Sequence, residues 1–158
     1  MIAYMGIRLG ALYLALPGDQ ISQINLPNDL HRHLNMPYIT LAERRIPVLQ
    51  VDEQLSQVSA ADSLATANTH YIISLAYADA SGALVTRFAL QVDAVQKLAE
   101  LEHYPIPTLM QRPNSPLLGL FTDQAQQQGF VTDVQALERF FNHLIETPRD
   151  DHDYPLAG

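Results

Sequence analysis

Residues 71–92, YIISLAYADASGALVTRFALQV, decide the fold class. Tyr71, Ile73, Leu75 and Tyr77 alternate with Ile72, Ser74 and Ala76, the period of two that sends successive side chains to opposite faces of a strand. Asp79-Ala80-Ser81-Gly82 supplies turn residues. Leu84, Thr86, Phe88, Leu90 and Val92 then share one face of a returning strand, so the segment reads as a β-hairpin. Toward the N-terminus the same signal recurs. Met1 to Leu9 alternates with Ala3, Met5, Ile7 and Leu9 on one face, Gly10-Ala11 turns, and Leu12, Leu14 and Leu16 line a second strand that Pro17-Gly18 ends. Ile21-Ser22-Gln23-Ile24 follows. Asn25 to Pro37 reads as a polar connection rich in Asn, Asp, His and Pro. Ile46 to Val51 is a short apolar run, followed by a small polar helix or turn and an Ala/Ser-rich linker from Ser59 to Thr69.

Toward the C-terminus a second hairpin runs from Leu117 to Phe121, through Gln126-Gln127-Gln128-Gly129, to Phe130–Thr132. Pro105, Pro107, Pro113 and Pro116 mark the loop before it, a composition that opposes helix and favours extended backbone. One helix is strong, over residues 133–146. Thr132-x-x-Gln135 has the form of a capping box, and Val134, Leu137, Phe140 or Phe141, and Leu144 recur at helical spacing until Pro148 stops them. Many short strands and one late helix predict an all-β protein of small barrels rather than alternating β/α units. Residues 1–147 read as a single domain and residues 148–158 as a loose polar tail.

With 158 residues, 47% of them hydrophobic and 16% charged, the chain is long and apolar enough to bury a core of its own. It contains no cysteine, which excludes disulfides, thiolate metal sites and thiol nucleophiles and fits a reducing compartment. Met1-Ile2-Ala3-Tyr4-Met5 lacks the basic region of a signal peptide. No window approaches the roughly 20 apolar residues that span a bilayer, so a cytoplasmic protein without membrane insertion is the expectation. The formal net charge is -8 and Lys97 is the only lysine. Nucleic acids and anionic membranes both demand a positive surface, so neither is expected as a partner. Such acidity serves solubility and the steering of basic protein patches.

Motifs for chemistry are missing. No Gly-rich phosphate loop precedes a lysine, and no H-E-x-x-H, G-x-S-x-G or G-x-G-x-x-G occurs. The best metal pair, His31-x-His33, has no third ligand nearby in sequence and reads as solvated. Asp150-Asp151-His152-Asp153 is a weaker candidate for a loosely held cation. His70, His103 and His143 are isolated in sequence, and only a meeting in space with Asp and Ser would make a small hydrolase of them. Tyr71, Tyr77 and Phe88 read as core or half-buried strand surface, and Arg44-Arg45 as an exposed strand end. No catalytic residue, metal or cofactor is expected.

Over residues 2–146 the chain resembles the CheW-like family of chemotaxis coupling proteins. Three segments carry the likeness. Ile7-Arg8-Leu9-Gly10 and Gln20-Ile21-Ser22-Gln23-Ile24 resemble the family's opening F-x-L-G and V-x-E-I. Ile46-Pro47-Val48-Leu49 stands where an apolar-Pro-apolar-apolar stretch precedes D-L-R. In the third, Phe88 to Val95 is similar to G-x-x-V-D-x-V, Pro105-Ile106-Pro107 occupies the proline loop, Leu117 to Leu120 is similar to I-x-G-apolar, and Val131 to Leu137 to L-L-D-x-x-x-L. Thr40-Leu41-Ala42-Glu43 departs from N-L-R-G, Gln50 and Asp52 replace the Asp and Arg of D-L-R, and Gln23 replaces a glutamate. These departures imply a divergent member, with a pilus-motility chemosensory system as one setting.

The resemblance implies two SH3-like barrels packed together with one C-terminal α-helix and no active site. It implies two partners, a CheA-type histidine kinase and the tip of a methyl-accepting chemoreceptor, for a monomer or weak oligomer. Ile21, Gln23 and Val95 would face the receptor in a groove between the barrels. Tyr38, Glu43, Arg44 and Asp52 would face the kinase. For Ile21 and Val95 ordinary core is the competing reading. A binding module of the same fold serving another signalling partner, and a small hydrolase, are the rival functions.

Overall fold

The structure is a computed structural model that describes residues 3–61, 71–99 and 101–146. The hairpin forms as the alternation predicts: β8 (Tyr71–Ala78) pairs antiparallel with β9 (Leu84–Val92), Ile73 opposite Leu90 and Leu75 opposite Phe88. Asp79 closes the turn by accepting from the Ser81 amide at 2.8 Å and the Ser81 hydroxyl at 2.6 Å. Around this hairpin lie β3 (Ile21–Asn25), β4 (His31–His33), β5 (Met36–Leu41), β6 (Arg44–Val51) and β7 (Val58–Ala60). They form one sheet in the order β3-β8-β9-β6-β5-β4, with β7 paired to β6. A second sheet holds β1 (Tyr4–Leu9), β2 (Leu12–Pro17), β10 (Ala94–Leu98), β11 (Leu101–Tyr104), β12 (Gly119–Asp123) and β13 (Gln128–Val131), in the order β10-β1-β2-β13-β12-β11.

In both sheets the two end strands are neighbours along the chain: β10 runs into β11, and β3 reaches β4 through a turn at Pro27–Asp29. A twisted sheet whose ends are tied so closely curls on itself. The result is two SH3-like barrels packed together, with α1 (Val134–Glu146) as the one α-helix among the described residues. We call the sheet that contains β1 the first barrel and the sheet that contains β8 the second.

Three apolar clusters fill the molecule. The largest lies between the barrels, where Ile7, Leu9, Leu14 and Leu16 meet Ile73, Leu75, Phe88, Leu90 and Val92 under Val134, Leu137, Phe140 and Phe141 of α1. Ile39, Ile46, Val48, Ala61, Ile72 and Ala89 fill the second barrel. Tyr13, Ala15, Leu98, Phe121 and Val131 fill the first. Strand β2 therefore serves two cores, Leu14 and Leu16 on one face and Tyr13 and Ala15 on the other, which a period of two makes possible. Gly129 lets β13 lie beside β2: a Cβ there would stand 2.5 Å from the Tyr13 carbonyl oxygen.

Tyr13 brings a hydroxyl into the first barrel. It donates to Asp123 Oδ2 at 2.8 Å and accepts from Gln96 Nε2 at 2.9 Å, and the Arg8 guanidinium stacks 3.9 Å from its ring centroid. Burial, reinforced by the hydrogen bond to Asp123, pushes the phenol up to about 12. Burial also opposes charge on Asp123, but the Gln127 amide, the Tyr13 hydroxyl, the Ala125 amide and Arg8 outweigh it and hold the carboxyl below its ordinary value.

Four expectations need correction. The connection from Asn25 to Pro37 is not all loop. It contains β4, paired to β5 across Leu34 and Asn35, whose φ values of 52° and 66° make a left-handed turn. His31, Arg32 and His33 are all exposed, so no alternation of burial advertises the strand. The proline-rich loop holds a short 3-10 turn at Thr108–Met110, entered from Pro107 at φ -57°. The Ala/Ser-rich linker begins as a strand, since Val58–Ala60 pairs with β6, and residues 62–70 of it lie outside the described residues. Helix α1 is capped one residue later than the capping box implies. Asp133 Oδ1 accepts from the Ala136 amide at 2.7 Å, while the Thr132 hydroxyl donates to the Pro116 carbonyl at 2.6 Å. Gln20 Oε1 accepts from the Val134 amide at 2.8 Å, and so ties the helix start to the approach of β3.

Candidate functional site

Ile21 opens β3, an end strand of the second barrel's sheet, and Val95 lies in β10, an end strand of the first. Both are half-buried, and both pack against the core between the barrels. Two edges from two sheets thus reach one apolar mass from opposite barrels, with part of each side chain left at the surface. Gln23 is half-buried beside them in sequence, opposite Ser74 in β8, and its Nε2 donates to Asn25 Oδ1 at 2.6 Å. Further along the same strand and its exit, Ile24 is 47% and Leu26 54% exposed, large apolar side chains that sequence reasoning passed over. A strand edge with apolar side chains in water is suited to docking an amphipathic partner.

The residues suggested for the kinase side fall at two ends of β6. Tyr38 of β5 is half-buried, stacked 5.6 Å from the His31 ring and 4.8 Å below the Arg45 guanidinium. Glu43 and Arg44 stand at the exposed β5–β6 turn, where Ala42 and Glu43 adopt φ values of 50° and 66°. Asp52 lies beyond the other end of β6. Its Oδ1 accepts from the amides of Ser56 at 2.8 Å and Gln57 at 2.7 Å, and its Oδ2 accepts from the Ser56 hydroxyl at 2.6 Å. Burial disfavours its charge, yet these hydrogen bonds prevail and depress its pKa. Asp52 thereby closes its own loop, while Glu43 and Arg44 are exposed at the β5–β6 turn and Tyr38 shares a face with Arg45, the face opposite to that of Arg44.

The described histidines lie on three separate elements. His31 and His33 are in β4, His103 in β11 and His143 in α1, and His31 spends one ring face on Tyr38. Among the described residues no three His, Cys, Asp or Glu side chains converge as metal ligands. His70 and the stretch Asp150-Asp151-His152-Asp153 lie outside the described residues, as does the tail of residues 148–158.

Comparison with known proteins agrees with this geometry at the level of fold. No family model matches the chain, and no curated protein sequence does. A solved structure does match: the scaffolding protein TtCheW from Thermoanaerobacter tengcongensis, at a TM-score of 0.57 and 13% identity, over 92% of this chain and 93% of that one. The chain therefore has the CheW-like fold, both barrels and helix included. The backbone arrangement is shared although about seven of every eight aligned residues differ, as expected where burial pattern and turn chemistry, not particular side chains, specify a fold. Among the described residues no helix is long and apolar enough to cross a membrane.

Proposed function

We propose that the protein is a non-enzymatic scaffold that couples a methyl-accepting chemoreceptor to a CheA-type histidine kinase. The observation that carries this reading is the placement of Ile21 and Val95, half-buried edge residues of two different barrels that rest on one shared core. A receptor helix seated there would cover apolar surface from both barrels at once. The likeness in fold to a protein described as scaffolding supports the same reading. Tyr38, Glu43 and Arg44, about the β5–β6 hairpin of the second barrel, are the kinase-facing residues in this proposal, and Asp52 shapes the loop at the far end of β6.

Capture from a native cytoplasm tests the whole reading: a histidine kinase should copurify with the wild-type chain. Val95→Lys tests the groove. A lysine there must be buried unpaired beneath the receptor helix or hold that helix away, so receptor binding should weaken by about 2 kcal/mol or more. Thermal melting belongs beside the binding measurement. Loss of the fold would make Val95 a core residue, and unchanged binding by a well-folded variant would move the groove elsewhere.

A further inference from the structure

An open cleft of about 360 Å³ lies where the end of β6, the end of β9 and the β1–β2 turn approach one another. Asp52, Glu53 and Asp93 line it, together with Gln57 and Gln91. The cleft is held open by its own acids. Asp93 Oδ2 accepts from the Gly10 amide at 2.5 Å, and Glu53 Oε2 from the Ala11 amide at 2.7 Å. Gly10 takes φ +61°, and a Cβ there would stand 1.9 Å from Glu53 Oε2, so the turn admits little but glycine. A carboxylate accepts about four hydrogen bonds in all, so both acids keep capacity after holding the turn.

The second observation is Gln91. It is 4% exposed, it lines the cleft, and its Nε2 has no hydrogen-bond partner. A buried donor without an acceptor is costly, and folded proteins retain few of them. The terminal amide of glutamine turns about a soft torsion, so an acceptor arriving in the cleft can meet this donor with little rearrangement.

We infer that the cleft is a binding site for an arginine side chain of a partner protein, with the Asp93 and Glu53 carboxylates receiving the guanidinium and Gln91 donating to a carbonyl oxygen of the same segment. Two complementary demands select this ligand class. Carboxylates on the cleft walls call for a cation, and the planar guanidinium fork matches them better than a strongly hydrated ammonium does. The unpartnered amide calls for an acceptor close to that cation, which a peptide carbonyl supplies. A metal ion would leave Gln91 Nε2 unanswered, because an amide nitrogen donor is no metal ligand. The site stands independently of the adaptor reading, save that Asp52 shapes a wall here and belongs to the loop considered there.

The test uses neither receptor nor kinase, so its failure is separate from failure of that reading. N-acetyl-arginine amide, titrated into the full chain and followed by amide chemical shifts, should saturate at millimolar concentration or below and move Gly10, Gln91 and Asp93. n-Butylguanidine carries the guanidinium as a single positive charge without a carbonyl, and free arginine adds terminal charges that an arginine within a chain lacks. Both should bind at least about fivefold more weakly, as should N-acetyl-lysine amide. Gln91→Met removes the unanswered donor, so it should leave Tm unchanged or raised while weakening the capped arginine by about fivefold or more. Asp93→Asn keeps an acceptor for the Gly10 amide and removes charge without altering Gln91, and it should weaken binding by about tenfold. No saturation by the wild type, n-butylguanidine binding as tightly as the capped arginine, or full affinity in Asp93→Asn would each overturn the assignment. Free arginine binding more tightly than the capped form would overturn the protein segment as its source. Unchanged affinity in Gln91→Met would remove Gln91 from the site, and with it the inference.

Discussion

Beside its apolar cluster of Ile39, Ile46, Val48 and Ile72 the second barrel buries Ser74 and Gln91, neither of which titrates, whereas the first places Tyr13, a titratable phenol, among Ala15, Leu98, Phe121 and Val131. Both close by the same rule, end strands joined by a short stretch of chain. Their sensitivities differ all the same. Apolar packing responds to lost volume and is indifferent to pH. A buried phenol bound to a carboxylate responds to geometry and to protonation, because each partner left alone becomes an unsatisfied buried group. The same architecture thus tolerates two chemistries of filling, one of which carries a titration.

The largest expected effect is on the apolar side. Ile46→Ala empties a fully buried position and should lower stability by about 2–5 kcal/mol in urea denaturation, by the same amount at neutral and alkaline pH. A loss below about 1 kcal/mol would show that the second barrel collapses around the gap. Tyr13→Phe comes next, at about 1–3 kcal/mol, since Asp123 loses a donor and Gln96 an acceptor. This substitution also changes a pH profile. The folded pKa of Tyr13 is raised from 10.0 to about 12, so its contribution is full below pH 10 and disappears as the pH climbs through 12. Wild type and Ile46→Ala should show the same alkaline loss, and Tyr13→Phe a smaller one, because the phenols of Tyr77 and Tyr104, raised by hydrogen bonds to Glu138 and Glu102, remain. At the acid end Asp123, held below its ordinary value, adds stability that is present above the carboxylate range and lost as pH falls through its folded pKa. An identical alkaline profile in Tyr13→Phe would erase the distinction between the barrels. The smallest effect belongs to Asp133→Ala, about 1 kcal/mol by thermal melting, because it uncaps the helix that covers the shared core and touches neither barrel's own filling.

How much of this the chain announces depends on whether one face of an element is buried. Strands β2, β8 and β9 are buried on both faces, and their apolar runs between turn residues were legible. Strand β4 buries none of its three residues, so it carried no period, and only the turn-forming Leu34-Asn35 hinted at it. The helix was legible to within a residue. Its cap was misread because Thr132 and Asp133 are both good caps, and only the Pro116 carbonyl, distant in sequence, decides between them. At the candidate site, Ile21 and Val95 are half-buried on end strands, and they were singled out by resemblance and not by periodicity. The loop-closing role of Asp52 had a weak local signal in the hydroxyl of Ser56 four residues on. Gln91 had none. A glutamine at one position of a strand looks like any solvent-facing residue until the strands around it are in place.

The order of strands along the chain has a consequence for synthesis. The second barrel is drawn from one continuous stretch, β3 to β9, while the first combines β1 and β2 with β10 to β13. A nascent chain leaving the ribosome can therefore pair β8 with β9 early, but Leu14 and Leu16 of β2 wait for partners made much later. Strand β2 gains its neighbour β13 only when residues 128–131 emerge, and α1 follows at once to cover the junction. The N-terminal strands are thus the part of the molecule most in need of protection during translation, and their docking is the step that commits both barrels together.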